Sequence, residues 1–384
     1  MTGKRLLAAF LGASLLLSGC GPAGGSQGAF DASSEENGKL KVAVTLFPYY
    51  DFVRQIAGDQ VDLQMVIPAG MDSHSFEPTP ADIRTIQHAD VLISNGGTME
   101  HWLKDTLSAL DTSNMTIVTM MDYVDTVEEE IVEGMEDAGH DHDHAHSHAA
   151  ADDHDHSHET PEEHAAHAQE ADDHDHSHET PEEHAAHAQE ADDHDHSDYV
   201  DHDGHEEAIE YDEHIWTSPV NAMKLVDVIG ETLAEADPAH EEVFRQGAAD
   251  YKKELEEIDA GFREVSRNRK RNMIVMGDKF PFRYLADEYQ LDYRAAFSGC
   301  SSDTEPSAKT IAYLIDKVKE EQIPVVYYLE LSSHRVSEII GEETGAEPLL
   351  LHSCHNVTRA QFDAGITYAG LMRQNIENLR KGID

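Results

Sequence analysis

The chain has 384 residues, enough for two or three domains, and a formal net charge of −50 with histidine neutral. The charge is uneven: 33 of the 77 acids lie between Thr126 and Glu213, where there is no Lys or Arg, leaving 44 acids against 27 bases elsewhere. Such a chain has no basic face to neutralise phosphates, so nucleic acid is excluded as a partner.

In chain order, Lys4 and Arg5 precede the apolar run LLAAFLGASLLL and then Ser18-Gly19-Cys20. A short charged segment and about a dozen apolar residues read as a secretory signal over 1–19, too short to span a bilayer permanently. The ending LSGC resembles a bacterial lipobox. That implies cleavage before Cys20, a lipid on its sulfur, and anchoring to the outer face of a bacterial cell membrane. Residues 20–38 are rich in Gly and Ser and read as a flexible tether. Two cysteines then remain, Cys300 and Cys354. In an oxidising compartment they form a disulfide most simply; the alternative is a pair of thiolate metal ligands.

An α/β unit is expected over 39–236. KLKVAVTLFPYYDFVRQIAG reads as a strand, a turn at Pro48 and a helix, and VDLQMVIP as a second strand. TPADIRTIQHAD has helical spacing with Thr79 as cap and Pro80 in the first turn. VLISNGG is a buried strand ending in glycines, MEHWLKDTLSAL an amphipathic helix, and MTIVTM another strand. Strands alternating with helices indicate a parallel sheet. From about 126 to 210 apolar periodicity vanishes. Twenty residues, ADDHDHSHETPEEHAAHAQE, occur twice unchanged, and 19 of the 27 histidines fall between His140 and His205. This segment has too little apolar surface to offset the entropy of ordering and reads as a disordered insertion. Order is expected again at IWTSPVNAMKLVDVIGETLAEAD. A helix of about thirty residues, capped by Asp237, fills a connecting segment over 237–270 and would be roughly 45 Å long. A second α/β unit follows over 271–384, closing on the helical pattern FDAGITYAGLMRQNIENL. The expected class is α/β: two Rossmann-like lobes with parallel sheets joined by one long rigid helix.

Three stretches carry a histidine at a strand end or loop exit: His74 in SHSFEPTP, His214 in YDEHIWTSP, and His352 and His355 in HSCHN. In open α/β sheets ligands bind at the carboxyl ends of strands. Here the sequence resembles the metal-binding solute-binding proteins of ABC transporters for zinc and manganese. HSFEPTPADIRTIQHADVLISNG is similar to that family's first ligand motif and DEHIWTSP to its second. DTEPS and YAGLMRQNIENL match later landmarks. The resemblance spans about 40–125 and 210–384. It implies two α/β lobes joined by a long helix with the metal between them, His74 and His214 as ligands, and a membrane permease as partner. Where the family offers a third His or Glu, this chain reads Gly277-Asp278-Lys279. The third ligand is therefore expected in the C-terminal loop, at His355, with His352 next and Asp278 in reserve. Nitrogen donors suit zinc better than manganese, which tolerates carboxylates; manganese is the alternative cargo. A Cys300–Cys354 bridge would fasten the HSCH loop. Glu77, Asp212 and Glu305 are candidate partners of ligating imidazoles, or alternatively caps and solvated acids.

The insertion would then be a low-affinity zinc collector. His142, His144, His146, His154, His156, His158, His174, His176, His178, His194 and His196 stand at every second residue, so a flexible backbone can offer imidazoles in many combinations. Each site there must offset an ordering cost, and protonation would release its metal below about pH 6. H-E-x-x-H does not occur, and the G-x-S-x-G match Gly24-Gly25-Ser26-Gln27-Gly28 falls in the Gly/Ser-rich tether and not at a strand-to-helix turn, which argues against a zinc or serine hydrolase. A metal-buffering or adhesive surface lipoprotein is the remaining class. The expected assembly state is a monomer.

Overall fold

β-Branched runs alternating with amphipathic helices build two four-stranded parallel sheets. The computed structural model describes Phe30 and residues 38–135, 210–301 and 305–384. The leader, Cys20 and the repeat histidines named above lie outside the described residues. The first lobe runs β1 (Leu40–Val44), α1 (Phe47–Ala57), β2 (Val61–Met65), α2 (Pro80–Gln87), β3 (Val91–Ser94), α3 (His101–Ser108) and β4 (Thr116–Thr119), with strand order β2-β1-β3-β4. The second contains β5 (Met273–Phe280), α6 (Arg283–Tyr289), β6 (Asp292–Ser298), α7 (Ala308–Glu320), β7 (Val325–Tyr328), α8 (Arg335–Thr344) and β8 (Glu347–Leu350), with order β6-β5-β7-β8. Every residue of β3 is buried, as expected where helices cover both faces of a parallel sheet. In each lobe the strand order reverses beside the first strand. Loops leaving the carboxyl ends there form a crevice, the usual ligand position in open α/β sheets.

Three long helices lie between and beside the sheets: α4 (Pro219–Ala236), which packs on the first lobe, and α5 (Glu241–Asn268) and, after the short α9 (Arg359–Asp363), α10 (Tyr368–Ile383), which reach both lobes. Phe244, Ala248, Tyr251, Leu255, Ile258, Phe262 and Val265 form one buried stripe along α5. The spacing of three or four residues makes that stripe one helix face. It packs on α4, α1 and α10 and touches α6, so one helix contacts elements of both lobes within a single core. At 28 residues it is about 42 Å long. Asp237 does not cap it. That residue ends α4 and bonds Ala239 N and His240 Nδ1, and the cap position of α5 falls to His240. The closing helical pattern also breaks in two. Gly365 takes a left-handed φ of 73°, which glycine adopts at little cost, and Thr367 then caps α10.

A buried carboxylate fastens this joint. Asp51 of α1 is fully buried and accepts hydrogen bonds from Tyr368 N at 2.7 Å, Tyr251 Oη at 3.4 Å and Arg54 Nε at 3.0 Å. The anion therefore sits at the amino end of α10, where the helix dipole and free N–H groups favour negative charge.

The expected Cys300–Cys354 disulfide is not formed; both residues are free thiols. Cys354 is buried in the main core near Asp51 and Glu330, with its Sγ 3.8 Å from His352 O. Cys300 stands half-buried after β6, among Glu129, Asp212 and Glu213. The two sulfurs face different surroundings. Burial raises both thiol pKa values, so neither is a ready thiolate.

Candidate metal centre

Loops from both lobes bring three imidazoles together. His74 follows β2, His214 precedes the short turn Ile215–Thr217 before α4, and His355 follows β8. Ring centroids lie 5.7 Å apart for His74–His214, 5.7 Å for His74–His355 and 6.1 Å for His214–His355. Potential ligand atoms of Asp72, His74 and His355 all fall within 4.8 Å of one another. His214 is not in that closer group. A tetrahedral zinc with bonds near 2.05 Å needs nitrogens about 3.3 Å apart. Capture by all three imidazoles therefore requires His214 and the His74–His355 pair to approach.

Each ring is held by identifiable contacts. His214 is 2% exposed, and Asp212 Oδ1 accepts from its backbone N at 2.8 Å and faces its Nδ1 at 3.2 Å. A carboxylate on one ring nitrogen selects the tautomer that frees the other. Trp216 packs edge-on to His214 at 5.5 Å and stacks on His355 at 5.9 Å with 12° between planes. The indole Nε1 donates to Ser353 O at 2.8 Å, joining the motif around His214 to the HSCH loop. His355 Nε2 pairs with Ser73 Oγ across the lobes. Asn356 Nδ2 donates to Pro68 O and Met71 O at 2.9 and 2.7 Å, clamping the same loop to the first lobe.

The electrostatics split the three. Burial, reinforced by His214, lowers the His74 pKa to about 4. Burial, with His74 and His214 beside it, also holds His355 well below the usual imidazole value. On His214 burial opposes the charged form, but Asp212, with Glu129 and Glu213, outweighs it and raises the pKa. At neutral pH His74 and His355 are neutral rings, whereas His214 competes for a proton.

The other residues singled out from sequence stand differently. His352 is buried on the core side: its Nδ1 accepts from Cys354 N at 3.0 Å and its Nε2 has no hydrogen-bond partner among the described residues. It does not line the cavity. Asp278 lines it, but its oxygens accept from Lys279 N at 2.9 Å and Leu329 N at 3.3 Å. Glu305 is exposed at the cavity edge and Glu77 is exposed outside it. Glu213 serves the fold: its carboxylate accepts from Thr98 N, Thr98 Oγ1 and Met99 N. Gly97 is required there, because a Cβ would lie 2.3 Å from the Glu213 carboxyl carbon. Sequence reasoning missed Asp72, Ser73 and Trp216 as partners of the imidazoles. Asp72 and Ser73 immediately precede His74, and Trp216 follows His214 by two, so proximity in the motif was the available signal.

Two parallel α/β lobes that each contribute imidazoles to one cavity define a two-lobed binding protein with a candidate metal centre. The sequence matches the family described as ZnuA, zinc-uptake complex component A, periplasmic, over residues 42–382. The chain belongs to this family, which comprises extracytoplasmic uptake components and not enzymes. Among relatives, the zinc-binding protein AdcA of Streptococcus pyogenes is 30% identical over 347 residues, covering 90% of this chain and 56% of AdcA. The chain thus spans little more than half of that relative. The high-affinity zinc uptake system protein ZnuA of Bacillus subtilis is 26% identical over 369 residues, covering 96% of this chain and 94% of the relative. The crystal structure of the Zn(II)-bound ZnuA-like domain of Streptococcus pneumoniae AdcA superposes with a TM-score of 0.61 at 25% identity, covering 90% of this chain and 99% of that one.

Proposed function

We propose that this protein is an extracytoplasmic zinc receptor that delivers its ion to an ABC permease, held to the membrane by a lipid on Cys20. The observation that carries the reading is the convergence of His74, His214 and His355, each from a strand-end loop, in one cavity. The family match and the zinc in the names of its relatives support it. Three nitrogen donors favour zinc over manganese. Asp212 orients His214, and Asp72 flanks the pair His74–His355. The lobes 39–236 and 271–384 close on the ion about the connecting segment 237–270, and the protein acts as a monomer. The histidine repeat gathers zinc at many weak sites.

Equilibrium competition titration with a chromophoric chelator tests this two-tier arrangement. Protein lacking 140–205 retains one tight zinc and loses the weak, multiple phase. His74→Ala in the full chain does the reverse. Loss of tight binding on deleting 140–205, or unaltered tight binding in His74→Ala, would overturn the reading.

A further inference from the structure

The cavity is too large for its ion. It encloses about 430 Å³, whereas a water's share of liquid volume is about 30 Å³. It extends from the imidazoles past β5 to the start of α8, and its size falls in the range of small-molecule pockets. Its walls are mixed: Pro281, Phe297, Leu329 and Val336 are apolar, and Lys279 and Arg335 bring two cations. Three of the four acids in the lining accept backbone N–H groups, and the fourth, Glu305, is exposed at the edge. Asp278 accepts from two backbone N–H groups, Glu330 from Ser353 N, and Asp72 from His74 N. Lys279 and Arg335 have no ion pair or side-chain hydrogen bond among the described residues. The Lys279 charge is felt at both His74 and His355. Its place is set by an irregularity in β5, whose pairing with β6 shifts register between Met276 and Lys279. Gly277 in that irregularity lies so close to α8 that a Cβ would stand 2.5 Å from Ser337 Oγ.

A lone ammonium beside a cation site is repulsive unless an anion lies between them. Three imidazoles leave a tetrahedral zinc with one further position, for which Asp72 and a ligand entering from the cavity compete. We propose that this cavity is an anion subsite in which Lys279, with Arg335 at the mouth, receives the carboxylate of a small organic chelator that fills this further position on zinc. The apolar walls fit a ligand with a carbon skeleton better than an inorganic ion. This rests on the reading of His74, His214 and His355 as ligands. The cargo is then a zinc–carboxylate adduct.

Malonate is a suitable probe, because it is a dicarboxylate too weak to strip zinc from a tight site. The full chain is first titrated with zinc in buffer free of carboxylates, then the zinc-loaded protein is titrated with malonate by calorimetry and examined by native mass spectrometry. One malonate binds the zinc-loaded protein and none binds the apoprotein. In Lys279→Gln, zinc binds a few-fold more tightly without malonate, because a repelling charge is gone, yet malonate binding weakens at least ten-fold; Lys279→Arg restores it. Arg335→Gln, on the exposed helix start, weakens malonate less and serves if Lys279→Gln fails to fold. Tight zinc without malonate uptake, or equal uptake by the parent and by Lys279→Gln and Arg335→Gln, would refute the subsite alone. Absence of tight zinc in the parent would refute the ligand reading on which it rests.

Discussion

Asp212 provides a sharp perturbation, because one oxygen performs two tasks. Its Oδ1 accepts from His214 N at 2.8 Å and faces His214 Nδ1 at 3.2 Å, with the side chains of the pair only 2% and 3% exposed. Asparagine at this position keeps an oxygen for the backbone bond and loses the charge. Alanine loses both. Loss of such a supporting partner typically costs 10- to 100-fold in metal affinity, or about 1.4–2.7 kcal/mol. Asp212→Asn is therefore expected near the ten-fold end and Asp212→Ala near the hundred-fold end. The charge effect has a second signature: Asp212 raises the His214 pKa against burial, so Asp212→Asn also releases less proton on binding zinc near neutral pH. Competition titration at pH 7.5, with calorimetry in two buffers of different ionisation enthalpy, reads both quantities. Affinities of both variants within two-fold of the parent, with unaltered proton release, would refute the reasoning.

Further outcomes follow from the same geometry. With His74 lowered to about 4 and His355 also lowered, only His214 competes for a proton near neutrality; zinc affinity should fall about ten-fold per pH unit below the raised His214 pKa and steepen only towards pH 4. A flat profile between pH 7 and 5 would contradict this. Asp51→Ala leaves Arg54, Tyr251 and the first N–H of α10 without their shared acceptor, a loss of about 3–5 kcal/mol for a broken buried pair, seen as a large drop in chemical-denaturation midpoint; a change below about 1 kcal/mol would show that the joint does not depend on it. Cys300 and Cys354 should both be alkylated in denaturant without reductant, and Cys354 only slowly in native protein; a mass two hydrogens lower and no alkylation would restore the disulfide.

Local signals carried most of the architecture. Runs such as VLIS and VVYY, set between amphipathic helices, require strands buried on both faces, and the long stripe from Phe244 to Val265 permits only a helix. The limits of the elements depended on details that periodicity does not carry. Asp237 looked like an N-cap, but it closes α4 through contacts with Ala239 and His240. Gly365 broke a pattern that read as one helix. For the candidate site, strand-end position pointed to three stretches and the family resemblance to His74, His214 and His355 within them, whereas the surroundings of His355 and His352 depend on which way each ring faces. Cys354 lies between them with a left-handed φ of 60°, and the loop turns there, sending His352 into the core and His355 towards Ser73. Contacts between residues more than a hundred positions apart, such as Trp216 with Ser353, 137 positions on, leave no local trace. The same holds for the two cysteines: residue type and compartment favoured pairing, but Cys354 is buried in the core and Cys300 half-buried among acids after β6.

The central claim is tested most directly by the anomalous scattering of zinc in crystals of the full chain loaded with one equivalent. The account predicts a single strong peak about 2.0–2.1 Å from one nitrogen each of His74, His214 and His355, with His352 unliganded in the core. A peak coordinated by His352 or Asp278, or one that omits any of the three imidazoles, would contradict it.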